Sequence, residues 1–350
     1  MPDVFFKKIT NDELLKNPHT LLGGIEKLKV LDTLQKGAFV ALKLHLGEKG
    51  NKSYINPIAL GPLVKLLKKT QVRPFLFETN TLYRGERMNA IDHIILAHNH
   101  GFAKLDVPII IGDGIRGGDY IEVKIDKKHF DACFMAQGLK DIDCLIVLSH
   151  LTGHMLTGFG AAIKNLGMGC ASRRGKLAQH CDVSPEIIVS RCIRCGRCME
   201  NCPAAAIERN QENYRIVKEK CIGCAQCVSV CPKGAVNIMW SESYEAIGEK
   251  LVEYAYAATR ERKCVYINFC VFITQECDCM NKEEKGFVKD IGLLFSHDPV
   301  AVDKASIDLL LQQENRDALR EIHPKIDYLH HLRYAHEIGL GSLEYTLIEI

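Results

Sequence analysis

Apolar runs of strand length alternate along most of the chain with stretches of helical periodicity. Strands are predicted at residues 39–44, 74–78, 107–111, 120–125, 144–148, 265–273 and 291–295, and helices near residues 58–69, 89–100, 158–166, 244–260 and 300–313. Strands that alternate with helices indicate a mainly parallel sheet with helices on both faces. The sequence therefore predicts an α/β fold.

A cysteine-rich segment interrupts this alternation. Residues 192–203 read CIRCGRCMENCP and residues 221–232 read CIGCAQCVSVCP, so that every cysteine and the proline recur 29 positions later. We therefore expect three segments. Residues 1–185 form the first part of an α/β host domain, residues 186–240 form a small α+β insert like a bacterial ferredoxin, and residues 241–350 complete the host.

The repeated spacing C-x2-C-x2-C-x3-C-P is the one with which bacterial ferredoxins bind 4Fe–4S clusters. Three cysteines curl round one cluster, and the fourth begins a segment that carries its sulfur to the other cluster. A structural zinc site uses four ligands and does not need this interleaving. The predicted cofactors are two 4Fe–4S clusters, one held by Cys192, Cys195, Cys198 and Cys231 and the other by Cys221, Cys224, Cys227 and Cys202. Gly196 and Gly223 are predicted to let backbone amides approach the inorganic sulfides.

Composition narrows the protein class. The chain has 16 cysteines in 350 residues, which is unusual for a protein without an export signal, and its formal net charge is only +2. A near-neutral charge disfavours nucleic-acid binding. The first residues lack the pattern of a signal peptide, and no apolar run is long enough to cross a bilayer. We expect a cytoplasmic protein with no membrane or nucleic-acid partner.

Polar side chains follow six of the predicted strands. In a parallel sheet the carboxyl ends of the strands meet at one edge, where ligands bind, so these side chains are expected to converge on one crevice. One of these six is the last predicted strand, which is followed by Ser296, His297 and Asp298. The residues that follow the other strands include His45, Asn80, Asp113, His150, His154, Cys277 and Cys279.

Two kinds of chemistry are predicted in this crevice. Thiolates and imidazoles suit zinc or iron, and the candidate metal ligands are Cys277, Cys279, Cys170, His150, His154 and His180. The alternative is that they are packed residues with free thiols. The candidate catalytic residues are His45, Asn80, Asp113, Lys164 and Asn165. Lys164 and Asn165 are also candidates for holding a small anionic substrate, with a solvated charged face as the alternative.

Several motifs resemble a known family. They are KLHLGE at residues 43–48, ETNTLY at 78–83, HLTGH at 150–154, GFGAAIKN at 158–165, CDC at 277–279 and SHDPVAVD at 296–303. Together they are similar to the family called domain of unknown function 362, and more closely to its subgroup of uncharacterised Fe–S centre proteins with an embedded ferredoxin module. The resemblance implies the α/β fold and the clusters, and it leaves the reaction open.

The function that we expect is that of an iron–sulfur oxidoreductase. The insert would relay single electrons between a ferredoxin-like or other acidic carrier and an unknown substrate in the host-domain crevice. Arg191, Arg194 and Arg197 are candidates for a docking patch, with a solvated basic rim as the alternative. The rival function is a non-catalytic electron carrier or scaffold whose host domain docks partners.

Overall fold

The structure is a computed structural model that describes residues 1–180, 184–210, 213–238 and 242–350. Its strands are β1 (Asp3–Lys8), β2 (Phe39–Lys43), β3 (Arg73–Glu78), β4 (Ile109–Ile111), β5 (Tyr120–Lys124), β6 (Ala132–Ala136), β7 (Cys144–His150), β8 (Thr152–His154), β9 (Gly158–Gly160), β10 (Glu186–Ile187), β11 (Ile207–Asn210), β12 (Asn213–Ile216), β13 (Val236–Asn237), β14 (Lys263–Cys270), β15 (Gly292–Ser296) and β16 (Thr346–Glu349).

The α-helices flank these strands in sequence. They are α1 (Asn11–Lys16), α2 (Thr20–Leu28), α3 (Pro57–Lys69), α4 (Ala90–Asn99), α5 (Ala162–Gly167), α6 (Arg173–His180), α7 (Arg197–Glu200), α8 (Gln226–Val230), α9 (Tyr244–Thr259), α10 (Pro299–Glu314), α11 (Ala318–Ile322) and α12 (His330–Glu337). Within the described ranges, none of them combines the length and the apolar character that crossing a lipid bilayer requires.

Eight strands form one large sheet in the order β16-β1-β15-β14-β7-β2-β3-β4. Strands β14, β7, β2, β3 and β4 are mutually parallel, and β1 and β16 run in the same direction. Only β15 is antiparallel to its two neighbours. The prediction of an α/β fold with a mainly parallel sheet is therefore confirmed.

The sheet has a packed apolar layer on each face, because successive strand side chains point to opposite sides. Leu42 and Ile146 face the layer that contains α2 and α3. Ala41 and Leu145 face the layer that contains α5, α9 and α10. Two buried layers are what the continuous apolar strands of a parallel sheet require.

One expectation about the crevice is wrong. Because β15 runs against its neighbours, its carboxyl end lies at the opposite edge of the sheet, where Ser296 pairs with Tyr266. Asp298 has a structural task there, since its Oδ1 accepts hydrogen bonds from the amides of Val300 and Ala301 at 2.8 and 2.9 Å. An aspartate cap followed by a proline is a strong helix start, so this motif begins α10.

Two predicted elements also differ from the structure. Residues 158–160 form β9, which pairs with β8, and the helix predicted from residue 158 begins only at Ala162. Gly158 has a positive φ of 77°, which suits a turn and not a helix. The strand at 120–124 exists, but it pairs with β6 in a hairpin outside the large sheet.

The described part of the insert has small sheets of its own. Strand β10 pairs with β13 and β11 pairs with β12, and the short helices α7 and α8 contact each other. Its apolar cluster includes Ile207, Tyr214, Val228 and Val236. The predicted end of the insert, residue 240, lies outside the described residues.

Candidate functional site

A cavity of about 370 Å³ lies at the carboxyl ends of the parallel strands. Lys43 ends β2, Glu78 ends β3 and His150 ends β7, and all three line the cavity. The loop after β14 adds Cys277, and α5 adds Lys164. The topology therefore brings distant segments of the chain to one site, as parallel sheets do.

The cavity collects most of the predicted site residues, but not all of them. Those that line it are His45, His150, His154, Lys164, Asn165, His180, Cys277 and Cys279. Asn80, Asp113 and Cys170 are buried outside its lining. Asn80 Nδ2 donates to Asp113 Oδ1 at 2.8 Å, and burial raises the pKa of Asp113 to about 6. Burial also raises the pKa of the Cys170 thiol to about 11.

A buried ion-pair network forms one wall of the cavity. Lys43 Nζ lies 3.0 Å from Glu78 Oε1 and donates to Asn165 Oδ1 at 2.8 Å. Arg87 Nε lies 3.3 Å from Glu48 Oε2, and Arg87 Nη1 lies 3.5 Å from Glu78 Oε2. Sequence analysis did not select Lys43, Glu78 or Arg87. A charged side chain at the last position of an apolar strand is the signal that would have identified the first two.

Lys164 is the cation of the cavity that lacks a fixed partner. Among the described residues, its ammonium group makes no hydrogen bond or ion pair. Burial lowers the pKa of Lys164 to about 8, although the Asp278 carboxylate acts in the opposite direction. Burial likewise lowers the pKa of Lys176 to about 8, but Lys176 Nζ donates to Thr79 Oγ1 at 2.6 Å. Lys164 is therefore the ammonium that a ligand can engage directly.

Two neutral histidines present ring N–H groups. His45 Nδ1 accepts from the amide of Gly47 at 3.0 Å, so the proton is assigned to Nε2, which is buried and has no partner among the described residues. His154 Nδ1 accepts from the amides of Leu156 and Thr157 at 3.3 and 3.2 Å. Burial holds the pKa of both rings well below the usual value, and the nearby cations Arg87 and Lys164 lower the pKa of His45 and His154 respectively. Both rings are therefore uncharged donors at neutral pH.

His150 is held in a different state. Its Nδ1 lies 3.1 Å from both carboxylate oxygens of Asp278, and its Nε2 lies 3.1 Å from the carbonyl oxygen of Val271. Both nitrogens face acceptors, so the ring carries two protons. Burial alone would lower the pKa of His150, but the Asp278 carboxylate and these hydrogen bonds raise it above the usual value. This arrangement leaves neither nitrogen directed at a metal.

The two cysteines of the CDC motif are joined by a disulfide bond, and both line the cavity. Asp278 between them is fixed by His150 and by Ser53 Oγ, which donates to Asp278 Oδ1 at 2.7 Å. Across the described ranges, no three histidine, cysteine or carboxylate side chains are grouped to hold a metal ion. A zinc or iron site on these residues remains a prediction.

The 29-residue repeat of the insert is visible in the backbone. Each non-glycine residue with a positive φ corresponds to a glycine with a positive φ in the other repeat, and these pairs are Arg194 with Gly223, Ala225 with Gly196, and Ala205 with Gly234. Equivalent amides also face equivalent sulfurs. Ala206 N donates to Cys202 Sγ at 3.2 Å, and Ala235 N donates to Cys231 Sγ at 3.1 Å.

The thiols of the two repeats interleave. Burial raises the pKa of Cys198, and the neighbouring thiols that also raise it are Cys192 of its own repeat and Cys231 of the other. Burial raises the pKa of Cys224 in the same way, with contributions from Cys221 and from Cys202 of the first repeat. Cys231 thus lies within electrostatic range of Cys198, and Cys202 lies within electrostatic range of Cys224.

The insert packs against the cavity wall. Leu82 lines the cavity and also belongs to the apolar cluster of the insert, together with Leu177 of α6. Leu177 lies close to Gly223, and the thiol of Cys224 interacts electrostatically with Arg173 of α6. The second repeat therefore adjoins the host domain.

Two solved structures show a low similarity to this chain. The lactate racemase apoprotein from Thermoanaerobacterium thermosaccharolyticum has a TM-score of 0.39 and 12% identity, over 77% of this chain and 50% of its own. A structural-genomics protein from Thermotoga maritima has a TM-score of 0.45 and 8% identity, over 88% of this chain and 60% of its own. The chain spans about half to three fifths of the length of these structures.

Sequence comparison gives the family. No curated protein matches the chain significantly. The model of the family described as "Domain of unknown function (DUF362)" matches residues 40–308, which include most of the large sheet, the cavity and the whole insert. The predicted resemblance to the broader family is therefore confirmed, while membership of its iron–sulfur subgroup stays a prediction. This chain belongs to the DUF362 family.

Proposed function

We propose that this chain is an iron–sulfur oxidoreductase whose insert binds two 4Fe–4S clusters and whose host-domain cavity binds the substrate. The observation that carries the proposal is the 29-residue cysteine repeat beside the wall of a charged cavity, in which the fourth cysteine of each copy lies within electrostatic range of a cysteine of the other. When bound, such clusters supply one-electron transfer.

The residues of the insert suit this cofactor. Two sets of four thiols match the ligand count, with Cys192, Cys195, Cys198 and Cys231 in one and Cys221, Cys224, Cys227 and Cys202 in the other. Burial raises the pKa of Cys231, but four backbone hydrogen bonds lower it by more, and this favours the thiolate that iron requires. Glycines and other residues with a positive φ allow the tight turns of the two cysteine loops.

The two quartets differ in their surroundings. Cys195 of the first is exposed, and Arg191, Arg194 and Arg197 beside it are exposed as well. Cys224 of the second adjoins Arg173 of the host domain. This arrangement supports entry of electrons from an acidic carrier at the first quartet and delivery to the host at the second.

The cavity suits a small anionic substrate. Its lining contains Lys43, Arg87, Lys164 and Lys176, and these cations outnumber the carboxylates of Glu78 and Asp278. The carboxylates are already paired, whereas the Lys164 ammonium and the His45 Nε2–H are available as donors. Charge-assisted hydrogen bonds from these groups would hold a carboxylate or a similar oxyanion.

Anaerobic reconstitution with iron and sulfide tests the clusters. We expect about eight irons and eight sulfides per chain, with coupled electron paramagnetic resonance signals after reduction. Cys224→Ser should lose one cluster, whereas Cys264→Ser, which changes a cysteine of the host domain, should lose none. Zinc in place of iron, or four irons or fewer in fully loaded protein, would contradict the proposal.

The rival function as an electron carrier or docking scaffold makes a different prediction for the cavity. A carrier needs no ligand there, so Lys164→Met would leave both electron uptake and ligand binding unchanged. An oxidoreductase should lose affinity for acetate, used as a simple anionic probe, while its iron content stays the same.

A further inference from the structure

The CDC motif gives a second redox centre. We infer that Cys277 and Cys279 form a two-electron thiol–disulfide couple in the cavity, which is reduced with electrons delivered through this protein. The inference rests on the proposed function for its electron source, and on the position of the disulfide for its site.

The disulfide has little value as a structural crosslink. It joins residues only two positions apart, and the stabilisation from a crosslink rises with the length of the loop that it closes. The loop is already held by other bonds, since Glu48 N donates to the Asp278 carbonyl at 3.0 Å and Met280 N donates to the Cys277 carbonyl at 3.0 Å. The loop therefore keeps its anchors when the sulfur–sulfur bond is broken.

The remaining cysteines of the described host domain contrast with this pair. Cys133, Cys144, Cys170, Cys264 and Cys270 are all free. Burial raises the pKa of each, for example to about 12 for Cys144 and Cys270, so that these thiols stay protonated and unreactive. The described part of the host domain thus lacks a general disulfide framework, and the disulfide that it contains lies in the cavity lining.

The geometry around the pair suits reversible reduction. Both cysteines line the cavity, and Leu82 belongs both to this lining and to the apolar cluster of the insert. The Asp278 carboxylate between the cysteines is neutralised by His150, so it adds little repulsion against a thiolate formed beside it. The neighbouring Lys164 ammonium further offsets negative charge at this point.

The step balances as follows. The sulfur–sulfur bond accepts two electrons and breaks, two protons enter from water in the open cavity, and Cys277 and Cys279 become thiols. The electrons come singly from a low-potential one-electron carrier, two molecules of which are oxidised. The dithiol can then reduce a disulfide or another two-electron acceptor bound in the cavity.

Differential alkylation of the full-length, cluster-loaded protein tests the inference. The oxidised protein is treated anaerobically with reduced methyl viologen, quenched with N-ethylmaleimide and analysed by peptide mass spectrometry. We expect Cys277 and Cys279 to be unlabelled before reduction and both labelled after it, with labelling slowed at least tenfold in Cys224→Ser. After direct reduction with a phosphine, N-ethylmaleimide should label both cysteines in either protein. Reoxidation should again protect both cysteines from the label.

Three results would overturn the inference. The first is labelling of Cys277 and Cys279 in the oxidised protein, and the second is no labelling although paramagnetic signals show that the clusters are reduced. The third is a metal ion that Cys224→Ser retains and Cys277→Ser releases, because the two thiols would then be ligands. If the protein binds no clusters but phosphine still reduces the disulfide reversibly, only the proposed function is refuted. The thiol–disulfide couple would remain supported.

Discussion

Lys164 illustrates how burial prepares a single side chain for binding. The ammonium group has no counter-ion fixed to it, and its pKa lies at about 8. A ligand that accepts its hydrogen bonds recovers part of the desolvation cost that the empty site bears. Because only the protonated amine attracts an anion, occupancy of the cavity is linked to pH.

Acetate binding should therefore weaken as pH rises through 8. For one amine with this pKa, the protonated fraction and hence the association constant fall roughly tenfold between about pH 7 and pH 9. Calorimetric titration with acetate, whose charge is constant in this range, measures the fall. Lys164→Arg should flatten it, since arginine stays protonated. Any pH dependence of acetate binding that remains in the arginine variant would come from Lys176. If the pH dependence in this variant equals that of the wild type, Lys164 does not bind the anion.

The same pKa has a consequence for stability with a definite sign. The folded-state pKa of Lys164 is below the unfolded value of 10.5, so the unfolded chain binds more protons between about pH 8 and 10.5. The contribution of this residue to the free energy of unfolding therefore rises with pH across that window. Urea denaturation of the wild type and Lys164→Met at several pH values should show a difference that shrinks as pH increases.

At this scale, sequence analysis selected several residues that line the cavity and missed those of its wall. His45, Lys164 and Cys277 were selected because of their position after strands or the chemistry of their side chains. Lys43 and Glu78 lie within the recognised motifs, but they were not selected because each ends an apolar strand and counts there as part of the core. Asp113 follows the edge strand β4 and turns back to Asn80, a contact that local sequence cannot reveal.

Among the elements, the short helix α5 depends on a residue far away in the sequence. The Asp303 carboxylate of α10 accepts hydrogen bonds from the amides of Ala162 and Ile163, both at 2.9 Å. These are the first free amides of the helix that carries Lys164, so Asp303 serves as its N-terminal cap. Periodicity alone placed the start of this helix near residue 158, because the cap comes from another segment.

Asp303→Asn should therefore destabilise the protein. An asparagine offers one acceptor for two amides, and a buried unsatisfied donor costs about 1–3 kcal/mol. The free energy of unfolding in urea measures this loss. Asp308→Asn is the matched control on the same helix, because Asp308 forms a partly exposed ion pair with Lys304, and its loss should cost less than about 1 kcal/mol. Equal effects in the two variants would contradict the capping role.

The contact between α5 and α9 gives a second prediction for an element. A Cβ atom at Gly167 would lie 2.3 Å from the carbonyl oxygen of Leu251, so Gly167→Ala must separate the helices. Overpacking of this kind costs about 1–3 kcal/mol. Gly23→Ala in α2 meets no atom within 4 Å and should stabilise the fold by up to about 1 kcal/mol. Chemical denaturation of both variants distinguishes the signs.

For the whole molecule, the alternation of elements predicted the large sheet, while the ferredoxin-type insert inferred from the cysteine spacing stays a prediction. Neither could predict which repeat adjoins the host, because that depends on side-chain packing between Leu177 and the second ligand loop. The direction of β15 could not be predicted either, because the apolar pattern of a strand is the same whether the strand is parallel or antiparallel to its neighbours. Long-range packing decides both features.

The exposed arginines beside the first quartet lead to a prediction about association. Replacing Arg191, Arg194 and Arg197 by glutamate should slow reduction by an acidic one-electron carrier about tenfold at low salt, because steering by opposite charge is lost. Stopped-flow rates at several ionic strengths should converge for the variant and the wild type at high salt. Lys27→Glu, on the distant helix α2, should change the rate little. A salt-independent wild-type rate would exclude the docking patch.

Helices α6 and α9 flank the insert in sequence, and both contribute to the cavity wall through Lys176 and Leu251. A segment as small as the insert has little apolar interior and, with the proposed clusters bound, would rely on them for folding. Under that proposal, delivery of iron and sulfide would have to precede a finished pocket. A chain without the clusters would leave the cavity open to proteases. The supply of iron would then govern the abundance of the protein as well as its redox capacity.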